Sequence, residues 1–448
     1  MVLGASLAAL TAASGLSEAF REVILVDRDE VIDVREARRG VPHGRHVHGL
    51  LAQGARVMED LFPEITAEMV AAGCPLTDLA GTVRWYFQGK RLQQARSGLI
   101  NVAARRPVLE YHVRRRVQAL ENVRFLQRHD VTGLVFSDDG NRVLGARVQP
   151  SEGGAEETIL ADLVIDATGR GSRMPVWLQE QGYPRVPEEG TKIDLGYATR
   201  HYKTLRTDVF GTDHSILPCG PRGAFFTKTD SGLFELTIYG TLGDHPPTDP
   251  EGYNAFAKTL DAPEIYEAVA DAEPLDDAVL FRFPKTGRRR YELLPRIPDR
   301  LLMLGDSIAS FNPLYGQGMT LALLEAHALR EELRKGRIPD STQFMKKLAR
   351  IVDPVWKMAE GTNLADPRVE GERPRALKLM LGYMAKVQQA AAKDPAVTKA
   401  FMSAAALVEP NALMRPGTIL RVLRHTTPVP PVLAQLSRLP KLVGALRG

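Results

Sequence analysis

Apolar and small residues at the start of the chain follow a pattern that predicts a strand, a turn, a helix and a second strand. Residues 1–3 form a short apolar run, residues 4–6 are small, and residues 7–20 have the composition of a buried helix. A second apolar run at 22–26 ends in Asp27. This arrangement is typical of a dinucleotide-binding βαβ unit. The pattern alone leaves an ordinary parallel βα unit open, and the short first strand indicates a chain that begins late relative to its relatives.

Two further apolar runs end in glycine and an acidic residue, as buried parallel strands at a binding edge do. One run covers 162–166, and the other covers 301–304 and leads into Gly305 and Asp306. Ligands of open α/β sheets bind outside the carboxyl ends of such strands. After the second run, a glycine-rich turn precedes a helical pattern at 320–335. We therefore expect free N–H groups and the positive end of the helix dipole to face an anionic ligand.

Alternating polar and apolar positions in the second half of the chain predict a second, antiparallel sheet. Gly232 lies in a short polar turn between two of the patterns, which is a hairpin signal. Helical periodicity covers 375–407, and a proline-punctuated helical segment follows to residue 448. The strand patterns cover 191–203, 223–229, 233–241 and 279–283.

Large apolar residues on these strands are candidates for the face that covers a ligand. Core packing is the alternative for each of them, because large apolar side chains most often fill a core. The expected inner face carries Tyr197, Phe225, Phe234, Leu236 and Ile238.

The composition narrows the class of protein. Of 448 residues, 44% are hydrophobic and 25% are charged, which fits a globular chain of several structural units and excludes a fibrous or disordered one. The two cysteines, Cys74 and Cys219, cannot form a disulfide framework and fit a reducing, cytoplasmic location. No apolar run reaches the ~18–20 residues of a membrane span. A net charge of +4 gives no case for nucleic acid.

Charge is uneven near the C-terminal end. No acidic residue follows Glu409, whereas several basic residues do. A solvated helical face is the ordinary explanation, and a docking surface for an acidic partner is the alternative. The basic residues are Arg415, Arg421, Arg424, Arg438, Lys441 and Arg447.

Three neighbouring histidines raise the question of a metal site. His43, His46 and His48 have imidazoles that can bind zinc, but no cysteine or carboxylate nearby completes a ligand set. Arg45 also stands among them. We therefore expect no metal at this loop.

Short motifs mark the ends of the three predicted parallel strands. The first motif keeps one glycine of the usual GxGxxG pattern and has small residues at the other two positions. The motifs are Gly4-Ala5-Ser6-Leu7-Ala8-Ala9, Asp166-Ala167-Thr168-Gly169-Arg170, and Gly305-Asp306 followed by Pro313 and Gly316-Gln317-Gly318-Met319.

Together these motifs resemble those of the para-hydroxybenzoate-hydroxylase-like flavoproteins, which are single-component, FAD-dependent class A monooxygenases. Residues 39–50 and 106–110 are similar to a narrower bacterial branch that includes polyketide epoxidases of polyether antibiotic pathways. The resemblance implies an α/β fold with a Rossmann-like FAD-binding domain of the GR2 type, an interleaved antiparallel β-sheet substrate domain and a helical C-terminal region. The implied boundaries are 1–185 and 291–340 for the two parts of the FAD-binding domain, 186–290 for the substrate domain and 341–448 for the helical region with its basic tail.

The resemblance also implies which residues bind FAD. Gly4, Ser6 and Ala9 would form the pyrophosphate turn, and Asp27 would hold the adenosine ribose. The departures from glycine at Ser6 and Ala9 should weaken FAD affinity and leave the fold intact. The other implied cofactor contacts are Arg45, Arg106, Asp166, Gly169, Asp306, Pro313, Gly316, Gln317, Gly318 and Met319, and the candidates for the reacting face are Arg45, Pro313 and Tyr315.

The function implied by the resemblance is that of an oxidoreductase in which NAD(P)H is a transient reductant of FAD. Oxygen from O2 would reach an alkene or aromatic carbon through a hydroperoxide at C4a of the flavin, giving epoxidation or hydroxylation. The implied substrate is a lipophilic polyketide or other secondary metabolite, with an acidic acyl carrier protein as a candidate partner. The chain lacks the tryptophan-x-tryptophan motif of flavin halogenases, which argues against halogenation. An FAD-dependent reductase of isoprenoid double bonds and a non-redox FAD-binding cyclase stay open as alternatives.

Overall fold

A computed structural model describes residues 1–205, 208–230 and 232–426. Helices and strands alternate along most of this length. The helices are α1 (Leu7–Ser17), α2 (Ala52–Leu61), α3 (Ile65–Ala71), α4 (Arg106–Gln118), α5 (Met174–Glu180), α6 (Pro250–Ala257), α7 (Pro263–Val269), α8 (Gln317–Leu333), α9 (Ser341–Asn363), α10 (Arg375–Ala391), α11 (Pro395–Ala405) and α12 (Pro416–Thr426).

The strands are short at the N-terminal end of the chain and longest between residues 129 and 285. They are β1 (Val2–Leu3), β2 (Val23–Asp27), β3 (Leu76–Asp78), β4 (Val83–Phe87), β5 (Lys90–Arg91), β6 (Ile100–Val102), β7 (Val123–Gln127), β8 (His129–Phe136), β9 (Val143–Pro150), β10 (Glu157–Leu160), β11 (Val164–Asp166), β12 (Glu188–Glu189), β13 (Lys192–Tyr202), β14 (Ser215–Cys219), β15 (Arg222–Lys228), β16 (Phe234–Gly240), β17 (Val279–Lys285), β18 (Gly287–Arg289), β19 (Leu301–Met303) and β20 (Ala309–Ser310).

Five parallel strands form the sheet that the N-terminal pattern predicts, in the order β19-β11-β1-β2-β7. The elements β1, α1 and β2 make the predicted βαβ unit. In the pairing register Leu3 lies opposite Asp166, and Asp166 lies opposite Met303. Because the strands are parallel, the motifs that follow β1, β11 and β19 leave the sheet at one edge.

The helix α1 carries no charge because protein surrounds it on nearly every side. It packs on the parallel sheet and against α8, and its apolar residues belong to the core that lies around this sheet. A Cβ at Gly15 would lie 3.0 Å from the Cβ of Arg330, so a residue without a side chain permits this close packing. The helix α8 begins at Gln317, three residues before its predicted start at 320, so the glycine turn leads directly into its first turn.

The second large sheet has seven strands in the order β17-β13-β16-β15-β14-β4-β5. The four predicted strand patterns are present in it as β13, β15, β16 and β17. The sheet is not wholly antiparallel, because β14 and β4 pair in parallel. The strands β4 and β5 come from within residues 1–185, so the sheet draws on chain from both sides of the implied boundary at 185.

Five residues of this sheet were expected on the face that covers a ligand, and the expectation is correct for two of them and wrong for three. Tyr197 and Phe225 line a cavity beneath the sheet. Phe234, Leu236 and Ile238 instead belong to the apolar cluster on the other face, which includes residues of α6 and α7. Neighbouring strand positions face opposite ways, and the register places Phe225 opposite an odd-numbered residue of β16. Even-numbered residues of β16 therefore cannot share its face.

The helices α10, α11 and α12 pack together and against residues near β4 in a smaller apolar cluster. The predicted helical stretch at 375–407 is thus two helices with a break between them. Over the part of the chain that the structure describes, no helix is long and apolar enough to cross a membrane.

Part of the predicted basic surface near the C-terminal end is paired within the protein. Arg415 contacts Glu409 at 3.1 Å, and Arg421 contacts Asp394 at 3.0 Å. The predicted basic positions at 438, 441 and 447 lie outside the described residues.

The packing of β19 gives a stability prediction with a matched control. Leu302→Ala should lower the free energy of unfolding by about 2–5 kcal/mol, because it removes a fully buried side chain and leaves a cavity. Leu160→Ala removes the same atoms from an exposed position on β10 and should change that free energy by no more than ~0.5 kcal/mol. Urea unfolding measures both variants, and equal losses would contradict this core.

Candidate functional site

A cavity of about 970 Å³ lies between the carboxyl edge of the parallel sheet and the seven-stranded sheet. Most predicted site residues line it, but three do not. Ala9 is buried in α1, Asp166 is buried at the end of β11, and Arg45 is exposed on the loop that follows residue 40. The predicted residues that line the cavity are Gly4, Ser6, Asp27, Arg106, Gly169, Asp306, Pro313, Tyr315, Gly316, Gln317, Gly318 and Met319.

The turn after β1 requires glycine at its first position. Gly4 has a φ of +104°, and an added Cβ would lie 2.6 Å from the backbone oxygen of Ala167. Its N–H donates to the Val26 carbonyl at 2.7 Å, and the next N–H, that of Ala5, donates to Asp27 Oδ2 at 2.6 Å. The start of α1 is therefore held against the ends of β2 and β11.

A buried carboxylate, Glu110 of α4, joins this turn to two arginines. Its Oε1 accepts from Ser6 Oγ at 2.6 Å, from the Leu7 N–H at 3.2 Å and from Arg106 Nη2 at 2.6 Å. Its Oε2 lies 3.5 Å from Arg38 Nη2. Burial favours the neutral acid, but the Arg106 and Arg38 guanidiniums outweigh it and hold the pKa of Glu110 well below its ordinary value. The carboxylate thus caps α1 and fixes two cations beside the turn.

Arg38 is a site residue that the sequence did not indicate, and its guanidinium contacts three other residues of the site. Its guanidinium lies 3.5 Å from Asp27 Oδ1 and 3.1 Å from Asp29 Oδ2, and it donates to the Ala5 carbonyl at 3.3 Å. Burial raises the pKa of Asp27, and the charge of Arg38 opposes this rise. Arg38 lies in an irregular segment, so no periodicity or motif in the sequence marks it.

The carboxylate of Asp306 faces the cavity from the opposite side of the same edge. Its side chain is open to the cavity but enclosed by protein, and this burial raises its pKa, with Arg106 acting in the other direction. The preceding Gly305 donates its N–H to Glu325 Oε2 at 2.6 Å. Burial raises the pKa of Glu325 to about 8. A Cβ on Gly305 would lie 2.8 Å from the Cβ of Ala8, so the turn is packed closely against α1.

The start of α8 offers backbone donors to the cavity. Gly316 precedes the helix in the left-handed region, with φ +64°, and no side chain caps the first turn. The N–H groups of Gln317, Gly318 and Met319 therefore have no partner within the helix, and all three residues line the cavity. This is an arrangement that binds anionic groups.

Hydrogen bonds hold the segment before α8 in place. Asn312 Oδ1 accepts from the Leu314 N–H at 3.1 Å, and Tyr315 donates its hydroxyl to Asn363 Oδ1 at 2.8 Å. Burial raises the pKa of Tyr315 well above its ordinary value, so its hydroxyl stays protonated. Pro313 and Tyr315 are thus presented to the cavity from a rigid turn.

The carboxylate at the end of β11, that of Asp166, forms hydrogen bonds within the turn that follows the strand. Asp166 accepts from the Thr168 N–H at 3.0 Å, from Thr168 Oγ1 at 2.5 Å and from Ser172 Oγ at 2.5 Å. These bonds shape the turn that presents Gly169 and Arg170 to the cavity. The Arg170 guanidinium lies 4.3 Å from the ring centroid of Phe283.

The histidine loop contributes neutral side chains. Burial lowers the pKa of His43 and of His46 to about 4, and lowers that of His48 as well. His43 and His48 line the cavity, whereas Arg45 between them points to solvent. Across the described ranges, no group of three His, Cys, Asp or Glu side chains has an arrangement that could hold a metal ion. Arg106 and Arg170 are cations that do line the cavity.

The sheet face above the loop carries aromatic rings and a row of hydrogen bonds. The ring of His46 packs edge-on against Tyr197, with centroids 4.7 Å apart. His46 Nδ1 lies 2.7 Å from Thr199 Oγ1, which lies 2.7 Å from Thr237 Oγ1. The loop is therefore fixed to the sheet through one of its imidazoles.

Comparison with known proteins identifies what this architecture is similar to. Residues 43–191 match the family described as FAD binding domain. Protein Rv3254 of Mycobacterium tuberculosis (strain ATCC 25618 / H37Rv) is 34% identical, with 80% of this chain and 78% of that protein covered. The FAD-dependent monooxygenase nodM of Hypoxylon pulicicidum is 25% identical, again with 80% of this chain and 78% of that protein covered.

Solved structures of flavoproteins have the same mixed α/β fold. A flavoprotein/dehydrogenase from Cytophaga hutchinsonii has a TM-score of 0.66 at 16% identity, covering 97% of this chain and 98% of that one. The p-nitrophenol 4-monooxygenase PnpA from Pseudomonas putida DLL-E4 has a TM-score of 0.62 at 15% identity, covering 90% and 95%. At these identities the likeness concerns the fold.

An ion pair between His201 of β13 and Glu235 of β16 predicts a pH dependence of stability. His201 lies 3.6 Å from buried Glu235 and 2.7 Å from Asp276. The contact with Glu235, followed by that with Asp276, raises the pKa of His201 to about 9 although partial burial opposes this. Because the folded pKa exceeds the ordinary value of 6.5, the contribution to stability is complete below about pH 6.5 and is lost as pH rises through 9.

The double variant His201→Gln/Glu235→Gln removes both charges and should remove this dependence. We expect the difference in unfolding free energy between the wild-type protein and the double variant to decrease between pH 6.5 and 9. Urea unfolding at several pH values measures it. A difference that stays constant over this interval would contradict the assigned ion pair.

Proposed function

The chain belongs to the same family as Protein Rv3254, and its residues 43–191 match the FAD binding domain; we propose that it is an NAD(P)H-dependent monooxygenase that transfers one oxygen atom from O2 to a lipophilic small molecule. We assign it to the para-hydroxybenzoate-hydroxylase-like class A branch, with a GR2-type cofactor domain. The observation that carries the proposal is one continuous cavity, lined at one end by Gly4 and Asp27 and at the other by apolar residues such as Phe225. A nucleotide and a lipophilic molecule could therefore bind side by side in the same cavity.

The residues at the nucleotide end fit the polar parts of FAD. Ser6 and Arg106 stand where a pyrophosphate would meet the start of α1, and Asp27 stands at the end of β2, where it can accept from ribose hydroxyls. Asp306 has a carboxylate that is open to the cavity, which suits the hydroxyls of a ribityl chain. The uncapped N–H groups around Gly318 suit the electron-rich end of the isoalloxazine ring.

When bound, the flavin would supply the hydride-accepting and oxygen-activating chemistry. The chain's own contribution is to position the substrate, exclude water and provide fixed dipoles. Neutral His43 and His48, with the aromatic rings of Tyr197 and Phe281, make a weakly polar wall. Arg170 adds a cation at the same wall, which would favour negative charge developing nearby. The roles of Arg45, Pro313 and Tyr315 at the reacting face stay predictions. Pro313 and Tyr315 line the cavity, whereas Arg45 is exposed outside it.

An epoxidation or hydroxylation of a polyketide or other secondary metabolite is the reaction that we favour. The lipophilic lining supports the class of substrate, and the 25% identity to nodM supports oxygen transfer. An acidic carrier protein as partner stays a prediction. Arg415 and Arg421 already pair with acidic side chains of this chain, which reduces the positive charge that such a partner would meet.

The direct test is an absorbance spectrum of the FAD-loaded protein, followed by NADPH in air and under nitrogen. We expect flavin bands that bleach with NADPH and return with oxygen, together with an oxygenated product from an alkene or phenol. Reduction of an isoprenoid double bond under nitrogen would identify the reductase instead. Product formation without NADPH would identify the non-redox cyclase, and either result would overturn the proposal.

Substitution at the α8 turn should weaken FAD binding. A Cβ on Gly318 would lie 3.6 Å from Asp306 Oδ1, so the larger Gly318→Val side chain would occupy space at the uncapped N–H groups. We expect the FAD dissociation constant to rise by at least about tenfold, which corresponds to the loss of one hydrogen bond. Fluorescence quenching of FAD measures it. Gly382→Val, on α10 with open space around the added Cβ, is the control and should leave the constant unchanged.

A further inference from the structure

The helices α10 and α12 lie side by side and run in the same direction. Tyr383 of α10 donates its hydroxyl to the Leu413 carbonyl, just before α12, at 2.7 Å. Lys393, which follows α10, donates to the carbonyl of His425 near the end of α12 at 3.3 Å. We call the outer side of this pair the α10/α12 face. Its exposed large apolar side chains are Leu379, Met414, Leu420 and Leu423.

Protein covers only part of the apolar side of α12. Val422 is fully buried among residues of α10 and α11. At 3.6 residues per turn, Ile419, Leu423 and Leu420 continue the apolar side around the helix from Val422. Leu420 is nevertheless 67% exposed and Leu423 is 41% exposed. A surface helix usually turns its apolar side to the core, so this helix has apolar surface without a partner among the described residues.

Apolar side chains are also exposed at the other end of the helix pair. Leu379 lies one helical turn before Tyr383, and Met414 directly follows Leu413. Because Tyr383 contacts Leu413, the exposed side chains of Leu379 and Met414 belong to the same end of the pair. Isolated apolar residues on a surface are ordinary, whereas a group on two adjacent helices indicates an interaction site.

Positive charge is concentrated in the same part of the chain. Residues 375–448 contain 11 Lys and Arg and 2 Asp and Glu, so they carry +9, whereas residues 1–374 carry −5. An anionic surface would therefore attract this end of the chain and repel the rest. Several exposed basic side chains of the face have no acidic partner among the described residues; they are Arg375, Lys378, Lys386 and Arg424.

The helices that form this face also support the apolar wall of the cavity. Leu79 and Trp85 line the cavity and pack against the apolar cluster to which α10, α11 and α12 contribute. The ring of Phe401 on α11 lies 5.3 Å from that of Phe87, which lies 6.2 Å from the ring of Trp85. The α10/α12 face and the apolar part of the cavity are therefore on two sides of one packed unit.

We propose that the α10/α12 face binds the surface of an anionic lipid bilayer, with its leucines inserted among the lipids and its basic side chains against the headgroups. Helices with leucines on one side and basic residues beside them lie in the plane of such surfaces. A second copy of the chain fits the face less well, because the pairing would bring two segments of charge +9 together. The bilayer would also hold a lipophilic substrate near the cavity; this last link rests on the proposed function, whereas the binding does not.

Sedimentation with lipid vesicles tests the binding on the full-length, FAD-loaded protein. The vesicles contain either phosphatidylcholine alone or phosphatidylcholine with about 30% phosphatidylglycerol, which is anionic. We expect the partition coefficient to be at least about tenfold higher for the anionic vesicles at low salt. Most of this difference should disappear at about 0.5 M NaCl, because salt screens charges at a surface.

Leucine variants with a matched control test the inserted side chains. Leu420→Ser should lower the partition coefficient by about tenfold or more, because the apolar side chain that leaves water is lost. Leu160, on β10, is exposed to almost the same degree, at 69% against 67% for Leu420. Leu160→Ser should therefore leave the partition coefficient unchanged.

Arginine variants test the electrostatic contribution in the same way. Each basic side chain near an anionic surface strengthens binding about fivefold. Arg375→Gln/Arg424→Gln should therefore lower the preference for anionic vesicles by at least about tenfold. Arg21→Gln/Arg185→Gln removes two exposed arginines that also have no acidic partner among the described residues, and it should leave the preference unchanged.

Three results would overturn the assignment. The first is no partition into anionic vesicles at low salt, and the second is partition that Leu420→Ser and Arg375→Gln/Arg424→Gln leave unchanged. The third is evidence of another occupant in the absence of vesicle binding. A dimer lost in Leu420→Ser would indicate a second copy, and an acidic carrier protein whose binding is lost in that variant would indicate a protein partner. Urea unfolding that destabilises Leu420→Ser but not Leu160→Ser would indicate cover by the chain itself.

The outcomes for the two proposals are distinct, because vesicle binding needs neither NAD(P)H nor O2. Vesicle binding that depends on Leu420, without oxygen transfer, would leave this assignment intact and remove the monooxygenase. Oxygen transfer by a protein that does not bind anionic vesicles would do the reverse.

Discussion

The buried carboxylate of Glu110 is the interaction on which the nucleotide end of the cavity depends. It accepts hydrogen bonds from the Ser6 hydroxyl and the Leu7 N–H, and it holds the guanidiniums of Arg106 and Arg38 at the same point. A buried charge is stable only when paired and hydrogen-bonded. Glu110 meets both requirements. The serine in place of the usual glycine is thus part of a built network, because its hydroxyl is one of the carboxylate's donors.

Strand register explains how distant motifs come to share one edge. The parallel pairing of β1, β11 and β19 brings three chain segments together, although Leu3 and Asp166 are about 160 residues apart and Asp166 and Met303 are about 140 apart. Each segment leaves its strand through a glycine with positive φ, at Gly4, Gly169 and Gly305. Such turns allow backbone and ligand to approach closely. The seven-stranded sheet then closes the cavity from above with aromatic and neutral polar side chains.

Features encoded in neighbouring residues could be predicted, and features made by distant contacts could not. The βαβ unit and the glycine turn before α8 were readable because their signals are local. Arg38 was missed because its role comes from contacts with Ala5 and with Glu110 of α4, which are far from it along the chain. Alternation in β16 divided its residues into two faces but could not indicate which face meets the cavity, so Phe234, Leu236 and Ile238 were assigned wrongly. Arg45 was carried over by position in a motif, and the loop's actual path turns it to solvent.

The most direct test of the account is a crystal structure of the protein with FAD bound. We predict one FAD in the cavity, with its pyrophosphate beside Ser6 and Arg106, its ribityl chain at Asp306 and its ring at the start of α8. Glu110 should keep its contacts with both arginines. FAD bound elsewhere on the protein, or a pyrophosphate more than hydrogen-bonding distance from both Ser6 and Arg106, would contradict the account.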